Sequence, residues 1–410
     1  MSPRQNAEKL LSFNIWMFTA LRTGALAGLC IPDMLKHLTP STWGAELASL
    51  MQQLNTLSFA ERIAFFQAQA FSDLQQFIKG FSLYLQSPME PRDDENVPIL
   101  WQKGSTTLRD YGAKYGLTAA DTVVVCVPSL INRGYIFDLM KEASFFAFLV
   151  NHKVRPLLVD WGEPGDKEKL FGLDHYATHR LVPLLYEVER LTQKPPIILG
   201  YCMGGILVLR ALRHYRKARG LALLAVPGNF VGCGRAFQKL LSWMSLLNIQ
   251  ERLWVGKTIP SYWQQIYFQW LDPLGIYRKF CQLAEHVLTP QQFQRFIAVE
   301  DWLNDGVPLA GKVFKELTHF KENTASSWQE EHSSIVSAAT IAWPKALLAI
   351  LPSRDKIVPT QTAEALLEYM PAAQVLRPPL GHVGMLVSEK APSMVWKPFI
   401  KWLQAVPHHT

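Results

Sequence analysis

In the segment Pro196-Ile197-Ile198-Leu199-Gly200-Tyr201-Cys202-Met203-Gly204-Gly205, an apolar run leads into a single thiol set among glycines. Gly200 and Gly204 permit a turn too tight for ordinary side chains, and a helix starting behind Cys202 would favour its thiolate, the form that attacks carbonyl carbon. The Met203 N–H would then face the oxyanion that such an attack creates. A buried structural cysteine at a strand–helix turn is the plain alternative.

A thiol nucleophile needs a base, and the base needs an orienting acid. His382 stands between Gly381 and Val383 just after the short apolar run 374–377, and Asp355 follows the run 346–351. The 27 residues from Asp355 to His382 have room for one helix and one strand, so both side chains should emerge at the same edge of a sheet. The loop after 122–127 runs Pro128-Ser129-Leu130-Ile131-Asn132-Arg133-Gly134 and should supply a second oxyanion donor. Pro128 has no N–H, so the donor falls among 129–131, and Leu130 is the candidate. Competing residues fit less well. His175 and His179 have the spacing of a helical metal pair, but the residues between them lack the glutamate of a metalloprotease motif. Asp160 is the rival acid, with fixation of the loop at Trp161 its expected task. Asp301 and Asp305 either touch substrate or cap helices.

The elements that must hold these residues follow from hydrophobic patterning. Runs at 122–127, 155–160, 196–200, 221–226 and 346–351 are short, apolar and rich in β-branched residues, with little alternation, as in strands covered on both faces. Helical patterns separate them, for example over 136–153 and 175–193. Strand–helix alternation predicts an α/β fold, a mostly parallel sheet with helices on both faces. Four segments are expected: a helical N-terminal region (1–95), the first part of the core (96–230), an inserted, mainly helical cap (231–342) and the second part of the core (343–410). The cap interval carries Trp243, Trp254, Trp263, Trp270, Trp302 and Trp328, and is too long for a simple loop. Ser41 is the expected N-cap of a helix in the N-terminal region.

Composition narrows the function classes. With 49% hydrophobic and 18% charged residues the chain can bury a full core. Lys and Arg exceed Asp and Glu by 41 to 34, yet no long basic block occurs, so nucleic acid is not an expected partner. Five cysteines without a CxxC pair suggest a reducing, cytoplasmic setting. The uncharged stretch 10–21 falls short of the roughly 20 residues that cross a bilayer, so no transmembrane segment is expected. It reads as an amphipathic helix packed on the protein, with docking onto a lipid-like surface as the alternative.

In this order, VCVPSLINRGYIFDL, GYCMGG, AVPGNF, VEDWLNDGVPLAGKVFKEL, the RDKIVP turn and GHVGMLV resemble the polyhydroxyalkanoate synthases, enzymes of the α/β-hydrolase superfamily. The likeness covers residues 98–403, about three quarters of the chain. It implies an α/β-hydrolase fold with nucleophile Cys202, acid Asp355 and base His382. The implied reaction is polymerisation of (3R)-hydroxyacyl-CoA into polyester, with release of CoA and no cofactor. The segment around Trp302 looks closest to the short, two-component class, whose catalytic subunit works with a separate partner subunit. The resemblance also admits a homodimer and a place at the surface of polyester granules. Two features depart from the family: Val226-Pro227-Gly228-Asn229-Phe230 lacks the carboxylate that commonly precedes the Phe, and residues 1–95 match neither class in length. A related thioesterase or acyltransferase, and a noncatalytic granule-associated protein, remain alternatives.

Overall fold

The computed structural model describes residues 3–8, 11, 56–88, 92, 94, 96–120, 122–228, 256–271, 275–285, 288–319 and 343–407. Ser41, Cys30, Cys233, Trp243, Trp254, Trp328 and Asn229 lie outside the described residues. Packing divides the chain into two compact units, Met1–Met89 with Asp272–Ile297, and Glu90–Leu271 with Ala298–Thr410. The interval taken as a cap is thus divided between the two.

In the first unit the helix Phe59–Gln86 begins with a reciprocal cap: Ser58 N–H donates to Glu61 Oε2 at 2.7 Å, and Glu61 N–H donates to Ser58 Oγ at 3.4 Å. Phe77, Phe81 and Tyr84 pack on Phe280 of the helix Gly275–Glu285. Gly80 makes the approach possible, since a Cβ there would lie 1.8 Å from the Phe280 carbonyl oxygen.

Among the described residues the second unit has ten strands: β1 (Ile99–Lys103), β2 (Thr106–Asp110), β3 (Thr122–Val127), β4 (Val154–Asp160), β5 (Ile197–Tyr201), β6 (Gly220–Leu224), β7 (Thr258–Ile259), β8 (Leu309–Ala310), β9 (Ala346–Ile350) and β10 (Gln374–Leu376). Eight form one sheet in the order β1-β2-β4-β3-β5-β6-β9-β10; β7 and β8 form a separate antiparallel ladder. All pairings from β4 to β10 are parallel, whereas β1/β2 and β2/β4 are antiparallel. The α/β class expected from the sequence is therefore the one found.

The weak alternation of the strands has a direct cause. Val123, Val125 and Val127 of β3 enter one apolar cluster, with Leu184 and Leu185 of the helix Val182–Thr192 and Leu207 of the helix Met203–Ala211. Val124 and Cys126 enter another, with Phe146 of the helix Phe145–Asn151 and Phe399 of the helix Lys397–Gln404. Both faces are dry, so both sets of positions must be apolar.

Two local expectations are corrected. The hairpin β1–β2, turning at Gly104 with φ 60°, carries no strand prediction. The continuous helix expected over 136–153 is instead two short turns, Gly134–Phe137 and Lys141–Ala143, before Phe145–Asn151. Buried Asp138 accounts for the break, because its carboxylate is held by Lys114 at 2.8 Å and by the Ser144 and Tyr115 hydroxyls. Ser144 Oγ also accepts the Ala147 N–H and so starts the helix afresh.

Candidate active site

Strand β5 is buried along its whole length and delivers the chain to Cys202, whose backbone has φ 54° and ψ −128°. A residue with a Cβ rarely adopts this conformation, and it persists only where its surroundings enforce it. Here the Cys202 N–H donates to the Leu224 carbonyl at 2.9 Å, and the Gly205 N–H donates to the Cys202 carbonyl at 3.0 Å. The neighbouring glycines are steric necessities. A Cβ on Gly200 would lie 2.6 Å from Gly205 Cα, and one on Gly204 would lie 2.1 Å from the Val127 oxygen and 2.5 Å from that of Pro128. On Gly205 it would meet Val226 Cγ2 at 2.1 Å. The thiol of Cys202 is half-buried, whereas Cys126 and Cys281 are buried. Burial pushes the Cys126 thiol far up, so it is inert at ordinary pH.

Asp355 and His382 follow β9 and β10 and meet at the same edge of the sheet. His382 Nδ1–H donates to Asp355 Oδ2 at 2.7 Å. The other carboxylate oxygen accepts N–H groups from Ile357 at 2.8 Å and Val358 at 2.9 Å, so the carboxylate cannot swing away from the ring. With Nδ1 engaged, Nε2 is the ring nitrogen left over, and Cys202 lies near enough to act on the ring. Tyr201 anchors the same residue: its hydroxyl donates to the His382 carbonyl at 3.4 Å, and the two rings lie 5.1 Å apart. Burial opposes a charge on His382, but the thiolate of Cys202 and the carboxylate of Asp355 outweigh it and raise the imidazole to about 10. A positive charge on the ring is thus favoured by its neighbours despite burial.

Met203 is the first residue of its helix, where an N–H has no acceptor within the helix and points outward. Opposite lies the loop 128–134. Its Pro128 carbonyl accepts the Trp161 Nε1–H at 3.0 Å and lies against Gly204. The Ile131 N–H donates to Ser129 Oγ at 3.2 Å, which among the candidates 129–131 leaves the N–H groups of Ser129 and buried Leu130.

The competing residues have other occupations. Asp160 pairs with Arg109 at 2.9 Å and accepts the Gly162 N–H at 3.1 Å, fixing the loop at Trp161. His175 and His179 stack with ring centres 5.4 Å apart. Among the described residues no group of His, Cys, Asp and Glu is arranged to hold a metal ion, and no helix is long and apolar enough to cross a membrane. Asp305 directly follows the helix Pro290–Asn304, its N–H donating to the Trp302 carbonyl at 3.1 Å, and its carboxylate pairs with Arg133 Nε at 2.9 Å and accepts the Tyr135 hydroxyl at 3.0 Å. Sequence reasoning missed this link, and also Tyr201. Nothing in the spacing of VEDWLNDG and SLINRGY announces the link, since the two stretches lie about 170 residues apart.

A model of the alpha/beta hydrolase family matches residues 124–392. Among curated proteins, the chain is 26% identical over 321 residues to the poly(3-hydroxyalkanoate) polymerase subunit PhaC of Haloferax mediterranei, covering 74% of this chain and 63% of that one, less than two thirds of its length. Against the subunit PhaC of Thiocystis violacea it is 26% identical over 327 residues, covering 77% and 88%. For that of Allochromatium vinosum the figures are 26% over 316 residues, 74% and 87%.

Proposed function

The chain belongs to the alpha/beta hydrolase family, and from that premise we propose that it is a poly(3-hydroxyalkanoate) synthase, an acyltransferase that joins (3R)-hydroxyacyl units from their CoA thioesters. The observation that carries the reading is the meeting of Cys202, His382 and Asp355 on one sheet edge, in a chain similar over most of its length to polymerase subunits.

In the proposed reaction His382 takes the Cys202 proton and Asp355 steadies the resulting imidazolium. The thiolate attacks the thioester carbonyl, and the oxyanion is held by the N–H groups of Met203 and Leu130. The attack forms the Cys202–acyl bond, and collapse of the oxyanion breaks the bond to CoA, whose sulfur leaves with the proton from His382. One thioester replaces another of similar energy. In the second half, His382 takes the proton of a 3-hydroxyl on the next acyl unit or on the chain end. That oxygen attacks the acyl carbonyl, an ester forms, and the Cys202 thiolate departs and is reprotonated. Water must be kept out, or the acyl group is hydrolysed. A separate synthase subunit, a second copy of the chain and the surface of a cytoplasmic polyester granule are the partners and location this reading brings with it. No cofactor is required.

Incubation with radiolabelled (3R)-hydroxybutyryl-CoA, with and without a candidate partner subunit, tests the proposal. The expected result is insoluble labelled polymer from the native chain, and neither polymer nor protein-bound label from Cys202→Ala. Release of soluble hydroxy acid alone would identify a thioesterase. No turnover, together with a Cys202 that resists iodoacetamide near neutral pH, would identify a noncatalytic granule protein.

A further inference from the structure

The loop that offers Ser129 and Leu130 is pinned at both ends, and the two pins are of different kinds. At the inner end the Pro128 carbonyl is clamped between the Trp161 indole N–H at 3.0 Å and the bare backbone of Gly204. At the outer end Arg133 Nη2 pairs with exposed Glu163 at 3.2 Å, and the other attachments come from one distant segment, 302–307. The Val307 N–H donates to the Ile131 carbonyl at 2.8 Å, and the Trp302 indole N–H donates to that of Arg133 at 2.8 Å. Asn132 and Gly306 form a single β-bridge. Asp305 provides the charged pin, one oxygen accepting from Arg133 Nε at 2.9 Å and the other from the Tyr135 hydroxyl at 3.0 Å.

We propose that Asp305 is a positioning residue for acyl transfer: by tying Arg133 to Tyr135 it sets the loop that presents the Ser129 and Leu130 N–H groups to the oxyanion. The backbone bonds of 302–307 fix how near that segment lies. The Asp305 carboxylate joins Arg133, within the loop, to Tyr135 just after it, and its less exposed position than that of Glu163 makes it the firmer of the two acids on Arg133. Its anchor is itself firm, because the Arg92 guanidinium lies 3.6 Å from the centre of the Tyr135 ring and donates to the Leu139 carbonyl at 3.2 Å. An oxyanion donor works through its aim at a developing charge, so small misplacements cost rate far more than binding. This inference rests on the acyl-transfer reading of Cys202.

The test compares two reactions of the same sulfur in the full-length chain. Alkylation of Cys202 by iodoacetamide passes through no oxyanion; its acylation, by hydroxyacyl-CoA or by p-nitrophenyl acetate, does. Asp305→Ala should slow single-turnover acylation about 30- to 100-fold while alkylation changes less than about twofold and substrate KM little. Asp305→Asn, which keeps an acceptor for Tyr135, and Tyr135→Phe, which keeps the Arg133 pair, should each fall between Asp305→Ala and the native chain. Unchanged acylation in all three variants, or acylation and alkylation falling in proportion, would overturn the assignment. A native chain acylated by the ester but not by hydroxyacyl-CoA would overturn the synthase reading alone, with the Asp305 comparison still decided on the ester. A native chain acylated by neither would overturn both.

Discussion

At the Cys202 turn, glycines at 200, 204 and 205 strip away every Cβ that would strike neighbouring backbone or Val226, whereas the loop facing it, 128–134, has a glycine only at its far end and takes much of its shape from residues about 170 positions away. In the proposed reaction both regions offer backbone N–H groups to one oxyanion. One is shaped by what its own sequence omits; the other by what a remote segment supplies. A turn of the first kind survives most changes elsewhere in the molecule and fails abruptly when a methyl group is added. A loop of the second kind tolerates local change and drifts when its distant anchors weaken.

The contrast can be broken most directly at its rigid side. Gly204→Ala brings a Cβ against two carbonyl oxygens that cannot move without disrupting β3 and the loop beyond it. We expect a loss of about 3 kcal/mol in chemical denaturation, or failure to accumulate as folded protein. Gly381→Ala, beside His382, is the control, since its Cβ would find its nearest neighbour, the Arg354 oxygen, at 3.7 Å. It should change stability by less than about 0.5 kcal/mol. Equal effects at the two glycines would refute the steric account of the turn.

A smaller effect is expected at the acid–base pair, with a pH dependence that identifies it. The imidazole of His382 is raised in the folded chain, so its contribution to stability is complete below its ordinary value of about 6.5. It is lost as pH climbs through about 10. Asp355→Asn removes one of the two charges responsible. The stability gap between native and variant, on the order of 2 kcal/mol at pH 6, should close towards pH 10 in urea titrations. A gap independent of pH would mean that the carboxylate acts only through its bonds to Ile357 and Val358.

The mildest expectation concerns the remote anchor. Trp302→Phe deletes one hydrogen bond to Arg133 and keeps most of the apolar volume. It should cost about 1 kcal/mol of stability and slow acylation about threefold to tenfold, with alkylation of Cys202 unaltered. If it proved as damaging as Gly204→Ala, the loop would have to be counted part of the rigid turn.

Much of the site was legible because its determinants are short in range. A thiol between glycines at the end of an apolar run specifies a tight strand–helix turn through sterics alone, and the runs before Asp355 and His382 announce where strands end. Leu130 was legible only as one of three residues; the Ser129 hydroxyl, by taking the Ile131 N–H, narrows the choice to two. The hairpin β1–β2 escaped because Ile99–Lys103 is half exposed, and an edge strand of that kind carries no clear apolar pattern. The break after Phe137 escaped because it depends on Lys114 reaching Asp138, a contact across 24 residues.

Local sterics and the period of apolar residues suffice for the α/β architecture, the strained turn at Cys202 and the placing of Asp355 and His382 just after strands. Tertiary structure alone decided that one oxygen of Asp355 is tied to backbone while the other holds His382 Nδ1, and that Asp305 reaches across to Arg133 and Tyr135. A carboxylate has the same spelling whether it faces water or a partner, and its partner is chosen only when distant segments pack.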